Sequence, residues 1–572
     1  MSPPIAGGTL AVARDGSFAV AATPDGDSLQ IVDLRTHTAG TVALPRGSEP
    51  GRVVLDDDGR AFVAMRAAPL VLRVELARFT TAWFGSRCFY PRGLAYDRAR
   101  RVVVVACLDG QLVALDVDTG AERQRTSAAL DLRDVLITQA GQLFVSRYRS
   151  AQLLHLDEQY GVLGANSPPL LTLPTSDGDA SQSPGGMPTT AGLAWRLIEG
   201  DEAAPWLLHQ RLRADEIVAE QDGYAPLDGH ADAVRPWLTA YDAQGTPKDA
   251  IPLDPGLTLA VDMALSSDHQ WLALADPGAD PAQYPSARLL SVAELRSNAQ
   301  RVATDPSGLV SAQLLVPVHG QATAVAWDDA GLLYVQTRDA EALEVFTVGG
   351  GGAAMHADPV WSVGLDSGST HDRGHDLFHR DLGAHMSCAS CHGEALDDAH
   401  VWSFRGRGPR RTKSLRGGVS LRGPYGWDGD VARFDAFVTE EVSRMRGSPF
   451  SVEATRALAV WLDGVPALRI PAPDARAAAQ GATLFESSEL GCSECHSGAK
   501  LTNQQRVDVG TGGTFEVPSL QGLLLRPPYM HDGCATQLKD CFTAPCGGSP
   551  HARAAQVTAD EQSALLAYLM QL

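Results

Sequence analysis

Apolar stretches of four to seven residues alternate with polar turns over the first 348 residues of the chain. Residues 9–13 and 17–22 flank Asp15-Gly16, and residues 52–55 and 60–64 flank Asp58-Gly59. Similar units centre on residues 93–97, 134–141, 263–268 and 325–331. Apolar positions in these stretches follow the two-residue period of strands. Gly and Asp at the turns suit tight hairpins. The first four turns recur at roughly 40-residue intervals, the length of a four-stranded blade. This predicts an all-β propeller of about seven blades over residues 1–348. One blade starts near residues 191–195 and carries a long polar insertion. Residues 173–190, rich in Ser, Asp, Gly and Pro, are expected to form a loop. Residues 199–236, with Trp206, His209 and His230 among acidic residues, are expected to be a second loop, either solvated or laid over the C-terminal part or a partner.

The pattern changes at the glycine and alanine run from 349 to 354, so residues 349–370 read as a linker. Beyond it the apolar positions take helical spacing, as at Leu458, Trp461 and Leu462 and again at Leu565, Leu566 and Leu569. Residues 371–466 and 467–572 repeat one another. Gly374 and Phe378 match Gly481 and Phe485, and Ser414-Leu415 matches Ser519-Leu520. Pro424-Tyr425 followed by Trp427-Asp428-Gly429 matches Pro528-Tyr529 followed by His531-Asp532-Gly533, with 36 residues from His392 to Asp428 and 36 from His496 to Asp532. This is an internal duplication, predicting two all-α domains.

Each copy contains one C-x-x-C-H motif, Cys388, Cys391 and His392 in the first and Cys492, Cys495 and His496 in the second. The spacing is that of covalent haem c attachment. Two thiols on one helical turn reach the two vinyl groups, and the following histidine lies beneath the iron as proximal ligand. A redox dithiol or a four-ligand zinc site would give the two histidines no role. Two covalently bound haems are therefore expected, with His392 and His496 as iron ligands.

Ahead of the first motif, His371, His375 and His379 share the i, i+4, i+8 spacing of one helix face, with His385 nearby. They could hold a metal, supply a distal iron ligand, or pack against a haem edge. Arg405, Arg407, Arg410, Arg411, Lys413, Arg416 and Arg422 follow with no acidic residue among them. Haem propionates need cationic partners, and Arg410 and Arg411 are the chosen candidates.

The chain carries 47 basic and 68 acidic residues, a net charge of −21. That argues against nucleic acid or an anionic membrane surface as partner and is compatible with a basic redox protein. No apolar run is long enough for a transmembrane helix. Covalent haem attachment in bacteria takes place outside the cytoplasm, so a periplasmic or cell-surface location is expected, with an export signal or lipid anchor ahead of the present start. Five of nine cysteines lie outside the motifs. Cys534 with Cys546 is the favoured disulfide, with Cys541 as the competing partner of either. Cys88 and Cys107 could bridge adjacent strands or remain thiols.

Residues 370–572 resemble the bacterial di-haem cytochrome c peroxidase superfamily, which includes the di-haem enzyme that matures the tryptophan-derived cofactor of methylamine dehydrogenase. The N-terminal repeats resemble the YVTN/NHL-like propellers. The first resemblance rests on both C-x-x-C-H motifs, on residues 424–429, on residues 517–520 and on residues 528–533. It implies that Trp427 lies between the haems and couples them, and that a calcium ion can sit between the domains, although no carboxylate set here demands one. It also implies a peroxide-reducing haem, or one that oxidises a protein or organic substrate. That family places a glutamate before a methionine about twenty residues after the tryptophan. Here Arg444 precedes Met445, so Glu440 and Glu441 are the remaining candidates for a general base. Met445 is a candidate sixth iron ligand in the first copy. Cys546 stands opposite it in the second, where His531, Met530 and His551 are the distal candidates, His531 being the chosen one. The alternatives to an enzyme are an electron-transfer relay and a redox sensor whose propeller docks a partner.

Overall fold

The computed structural model describes residues 2–173, 187–217, 224, 233–254, 256–280, 285–301, 313–350, 355–366, 368 and 371–572. His230, residues 351–354 of the glycine-rich run and residues 174–186 of the first expected loop lie outside them. Compactness divides the chain into two units. One comprises Met1–Ala214, Pro226–Asp372 and Phe378–Ser390, and the other comprises Asp215–Ala225, Arg373–Leu377 and Cys391–Leu572. The second copy, residues 467–572, thus falls wholly within the second unit, while Phe378–Ser390 of the first copy, with Cys388, is grouped with the first unit.

In the first unit seven antiparallel sheets follow one another along the chain among the described residues. The first is Leu10–Val12, Phe18–Thr23, Ser28–Asp33 and Thr38–Ala43. The seventh runs from Ala322–Trp327 to His356–Gly364. Six sheets are four-stranded, and the fifth, which starts at Leu171–Leu173 and ends at Pro247–Pro252, has five strands. The inner strand of each sheet packs on that of the next, and Ala322–Trp327 returns to Leu10–Val12. This closed ring of meanders is a seven-bladed β-propeller.

The strands read as they do because blades stack face to face. Val102–Cys107 is buried at all six positions, since both of its faces meet other blades. Glu122–Ser127, at the outer edge of the same blade, is polar and half-exposed or exposed. The apolar core is therefore divided into slabs between blades, as where Val20, Leu29, Val53 and Val63 meet between the first two. The ring is closed by a slab of Leu10, Ala19, Tyr334 and Val345. Gln336 Nε2 adds a hydrogen bond to the Ala22 carbonyl (2.9 Å) across the same junction. Cys88 and Cys107 form a disulfide inside this unit.

Three expectations change here. His356–Gly364, assigned to the linker, is the outer strand of the seventh blade and pairs with Ala342–Gly349. An edge strand wetted at most positions shows no apolar alternation, so Trp361, stacked on His37 at 4.1 Å, was its only marker. Residues 187–190, expected in a loop, begin the long strand Met187–Glu199. Trp206 and His209, expected in an insertion, are buried in the strand Pro205–Arg213. The His209 ring bonds the Gln210 carbonyl and the Thr239 hydroxyl, both at 2.8 Å, and burial pushes its pKa down to about 3.

The inner strands also carry a buried ion network. Asp134 Oδ2 lies 2.9 Å from both Arg52 and Arg196, and Arg196 Nε lies 3.0 Å from Asp262. Burial alone would raise the Asp134 carboxyl, but Arg52 and Arg196 outweigh it and hold its pKa below the usual value.

The second unit is helical with small sheets, not all-α. Its main helices are Phe434–Arg444, Val452–Gly464, Ala475–Phe485 and Ala559–Met570. Each copy also holds a short hairpin, Val401–Phe404 with Gly408–Arg411 and Arg506–Asp508 with Thr514–Glu516. The first hairpin is turned by Gly406 and Gly408, both at positive φ, inside the arginine-rich stretch. Glu216–Ile217 pairs with it in parallel.

The duplication is visible as repeated contacts. Tyr425 bridges Val431 in the first copy, and Tyr529 bridges Ala535 in the second. A Cβ on Gly374 would meet the Ala457 carbonyl and Trp461 Cβ, and a Cβ on Gly481 would meet the Ala564 carbonyl at 2.0 Å and Tyr568 Cβ at 2.8 Å. Glycine at these two positions lets the first and last helices of each copy touch. Gly481→Ala is therefore expected to lower stability by about 1–3 kcal/mol, read as a lower denaturant midpoint for the second unit.

Candidate functional site

Cys492–Cys495 forms one helical turn, begun at Gly491 with φ +67°. Cys388–Cys391 forms the matching turn in the first copy. Residues three apart on such a turn share a face, as two thiols bound to one planar group must. The histidine after each turn is oriented in the same way. Nδ1 of His392 faces the Leu396 carbonyl at 3.3 Å, and Nδ1 of His496 faces the Leu501 carbonyl at 3.2 Å. This leaves Nε2 of each ring for a metal, in the arrangement that protein carbonyls impose on ligating histidines. Burial pushes the His496 pKa down to about 4, with His551 adding to the effect, so the ring is neutral as ligation requires.

Cys492, Cys495 and His496 line a cavity with about 1430 Å³ of empty space, partly open to solvent. Leu490, Leu523, Leu565 and Leu569 make its walls apolar, and Trp427, His531 and Arg411 also line it. So does Arg526, whose buried Nε makes no hydrogen bond. Burial, followed by the repulsion of Arg411, pushes the Arg526 pKa down to about 10. The equivalent Arg422 of the first copy also has a buried Nε without a hydrogen bond. Apolar walls, two thiols three residues apart, a neutral histidine and buried guanidinium groups together fit a haem with two propionates.

Across from the motif the two copies exchange backbone hydrogen bonds. Arg411 N donates to the His531 carbonyl (2.7 Å), and Glu516 N donates to the Trp427 carbonyl (2.8 Å). Trp427 Nε1 donates to the Arg411 carbonyl at 2.5 Å, and Lys413 Nζ lies 4.5 Å from its ring centre. The Trp427 and His531 rings meet edge to face at 6.3 Å, and His531 stacks on Phe515 at 3.9 Å. Trp427 and His531 thus occupy matching places in the two copies and sit side by side.

The other expected residues are placed as follows. Arg411 is buried, paired with Asp397 at 3.0 Å, with its Nε unbonded. Arg410 does not line the cavity; it pairs with Asp428 at 2.7 Å and lies over Phe515. Glu440 and Glu441 lie on the helix Phe434–Arg444, each paired with Arg444. Glu441 also accepts a hydrogen bond from the Tyr224 hydroxyl (2.7 Å), and Tyr224 N bonds the Arg444 carbonyl. Burial first, then Glu441, raises the Tyr224 pKa, and Cys391 adds to the shift. Met445 is buried at the end of that helix.

Two expectations are corrected. The helix after the linker is only Arg373–His379, so His371 lies outside it. His375 is buried edge-on against Trp461, and His379 Nε2 accepts a hydrogen bond from Ile5 N. Among the described residues no group of three or more His, Cys, Asp or Glu side chains converges on a metal position. The favoured disulfide is present: Cys546, opposite Met445 in the sequence, is tied to Cys534, while Cys541, the competing partner, remains a buried thiol.

Arg526, Phe515 and Tyr224 escaped the sequence reading. Arg526, a lone cation after Leu523-Leu524-Leu525, carried a signal that could have found it. Tyr224 carried none, because its role depends on the segment Asp215–Ala225 belonging to the second unit.

No protein-family model matches the chain, and no curated protein sequence matches it. Among solved structures it is similar to Kuenenia stuttgartiensis hydrazine synthase, with TM-score 0.47 and 16% identity over 60% of this chain and 96% of that one. A streptogramin B lyase structure gives TM-score 0.41 and 8% identity over 59% of this chain and 92% of that one. A further structure, of Kuenenia stuttgartiensis hydrazine synthase under xenon pressure, gives TM-score 0.31 and 23% identity over 34% of this chain and 82% of that one.

Proposed function

We propose that the protein is an exported c-type cytochrome with two covalently bound haems, passing electrons between them and on to a redox partner protein. The observation that carries this is the cavity in which Cys492, Cys495 and His496 lie together with Trp427 and two buried arginines. A bound haem c supplies reversible one-electron chemistry at its iron. Cys388 and Cys391 hold the first haem and Cys492 and Cys495 the second, with His392 and His496 as proximal ligands. Arg411, Arg422 and Arg526 meet the propionates, which relieves their clustered positive charge. Met445 is the candidate second ligand in the first copy. Trp427 packs between the copies and offers a conjugated path between the two haems. Among the described residues no helix is long and apolar enough to cross a membrane.

A catalytic reading is favoured by one observation, the Tyr224–Glu441 hydrogen bond, whose phenol is influenced by Cys391. Glu441 is already engaged by Arg444 and Tyr224, which argues against it as a free base for peroxide cleavage.

Stopped-flow reduction of the holoprotein tests the relay. Trp427→Phe is expected to slow electron equilibration between the haems by about tenfold, about 1.4 kcal/mol of barrier. An unchanged rate overturns the role of Trp427. In the same experiment, peroxide that reoxidises the half-reduced protein and abolishes a high-spin ferric signal favours the enzyme over the relay.

A further inference from the structure

We propose that His551 is the second axial ligand of the haem attached at Cys492 and Cys495, opposite His496. The inference rests on the haem reading above and goes beyond it by fixing the coordination of one iron.

Both histidines line the same cavity. Their ring centres are 6.3 Å apart, and the ring planes are inclined by 45°. A metal–imidazole bond is about 2 Å. A ring with sides of about 1.35 Å places its nitrogen about 1.15 Å from the ring centre. Two imidazoles on opposite sides of one metal therefore have centres about 6.3 Å apart, and their planes are free to twist about the shared axis. Direct stacking brings ring centres closer, as His531 shows on Phe515 at 3.9 Å.

The nitrogens are sorted in the same sense. Nδ1 of His551 donates to the Gly547 carbonyl at 2.6 Å, and Nδ1 of His496 donates to the Leu501 carbonyl at 3.2 Å. A carbonyl only accepts, so each Nδ1 carries the proton and each Nε2 keeps its lone pair for a metal.

The backbone holds His551 in place. It ends the helix Ala544–His551, which is interrupted at Gly548 with φ +76°. A Cβ on Gly547 would fall 1.7 Å from the Cys541 carbonyl, so only glycine permits that turn to pack so closely. The Cys534–Cys546 disulfide ties the same helix to the loop after His531. Of the competing side chains, His531 is stacked on Phe515 and Cys546 is in the disulfide, while Met530 lines the cavity without the ring-to-ring spacing that His551 has to His496.

Two imidazole ligands leave no open position at that iron, so the second haem exchanges electrons without binding peroxide.

The test uses the full-length holoprotein. A pyridine haemochrome assay comes first, because fewer than two covalent haems per chain overturns the parent reading whatever the ligand. With two haems present, low-temperature EPR of the ferric His551→Gly variant is expected to lose one low-spin signal and gain a high-spin one. Added imidazole should restore the low-spin signal. An unchanged spectrum in a variant that keeps both haems overturns the assignment. His551→Met guards against a glycine variant that does not fold. It should stay low-spin while one midpoint potential becomes more positive. Two unmoved potentials overturn the assignment equally.

Discussion

Chain carrying Cys492→Ala and Cys495→Ala is expected to retain one haem after denaturation and extraction, where the unaltered chain retains two. Thioether attachment survives unfolding, whereas a haem held only by His496 and the cavity walls is extracted. The pyridine haemochrome assay therefore counts attachment sites and is insensitive to folding. The doubly substituted chain should also unfold at lower denaturant concentration. Its cavity is lined by leucines that a large apolar occupant would cover, and the buried Nε of Arg526 is left without a hydrogen bond. Exchanging Cys534 and Cys546 for serine serves as the control. Those sulfurs are bonded to each other and should leave the count at two. Two haems retained by the Cys492/Cys495 variant, or one haem in the unaltered chain, would sink the assignment.

Asp134→Ala is expected to destabilise the propeller by about 3–5 kcal/mol, the cost of removing one partner from a buried ion pair. Asp134 is fully buried between Arg52 and Arg196. Burial and then Arg196 already push the Arg52 pKa down to about 10, so Arg52 stays charged at neutral pH. Without Asp134, the two guanidinium groups share only Asp262, whose own pKa burial raises. The strands involved come from different blades, so the loss acts on the closure of the ring and not on one hairpin. Urea denaturation followed by circular dichroism gives the difference as a shift in midpoint. Glu202→Ala is the comparison, since Glu202 and Lys248 are each 50% exposed in their pair at 2.7 Å, and its loss should cost no more than about 1 kcal/mol. Equal midpoints for the two variants would mean that the buried network contributes nothing beyond a surface pair.

The propeller strands were legible because each blade is built from consecutive hairpins. Val102–Cys107 or Arg60–Met65 announces itself through its own apolar residues and adjacent Gly or Asp turn. The outer strand His356–Gly364 was not legible. It faces water at most positions, so its identity comes from pairing with Ala342–Gly349 and not from its composition. Trp206 and His209 misled for the opposite reason. The surrounding charges suggested a solvated insertion, yet the strand carrying them is central in its sheet. The arginine run was legible as a cationic patch but not as individual roles. Arg410 finds Asp428, while Arg411 and the unforeseen Arg526 line the cavity.

By itself the sequence determined what depends on residues a few positions apart. This covers the two helical turns bearing Cys388, Cys391 and His392 and Cys492, Cys495 and His496, and the internal duplication. It also covers the repeating strand–turn pattern, because hydrogen bonds of helical turns and hairpins form between near neighbours. Only the tertiary structure decided which side chains meet across long separations. His551 faces His496, Trp427 sits beside His531, and Tyr224 reaches Glu441 from a segment that lies between propeller strands in the chain. Those meetings follow from close packing, such as Gly481 against Ala564 and Gly547 against Cys541. Such contacts fix the position of a ring to within a fraction of an ångström and leave no trace in local composition.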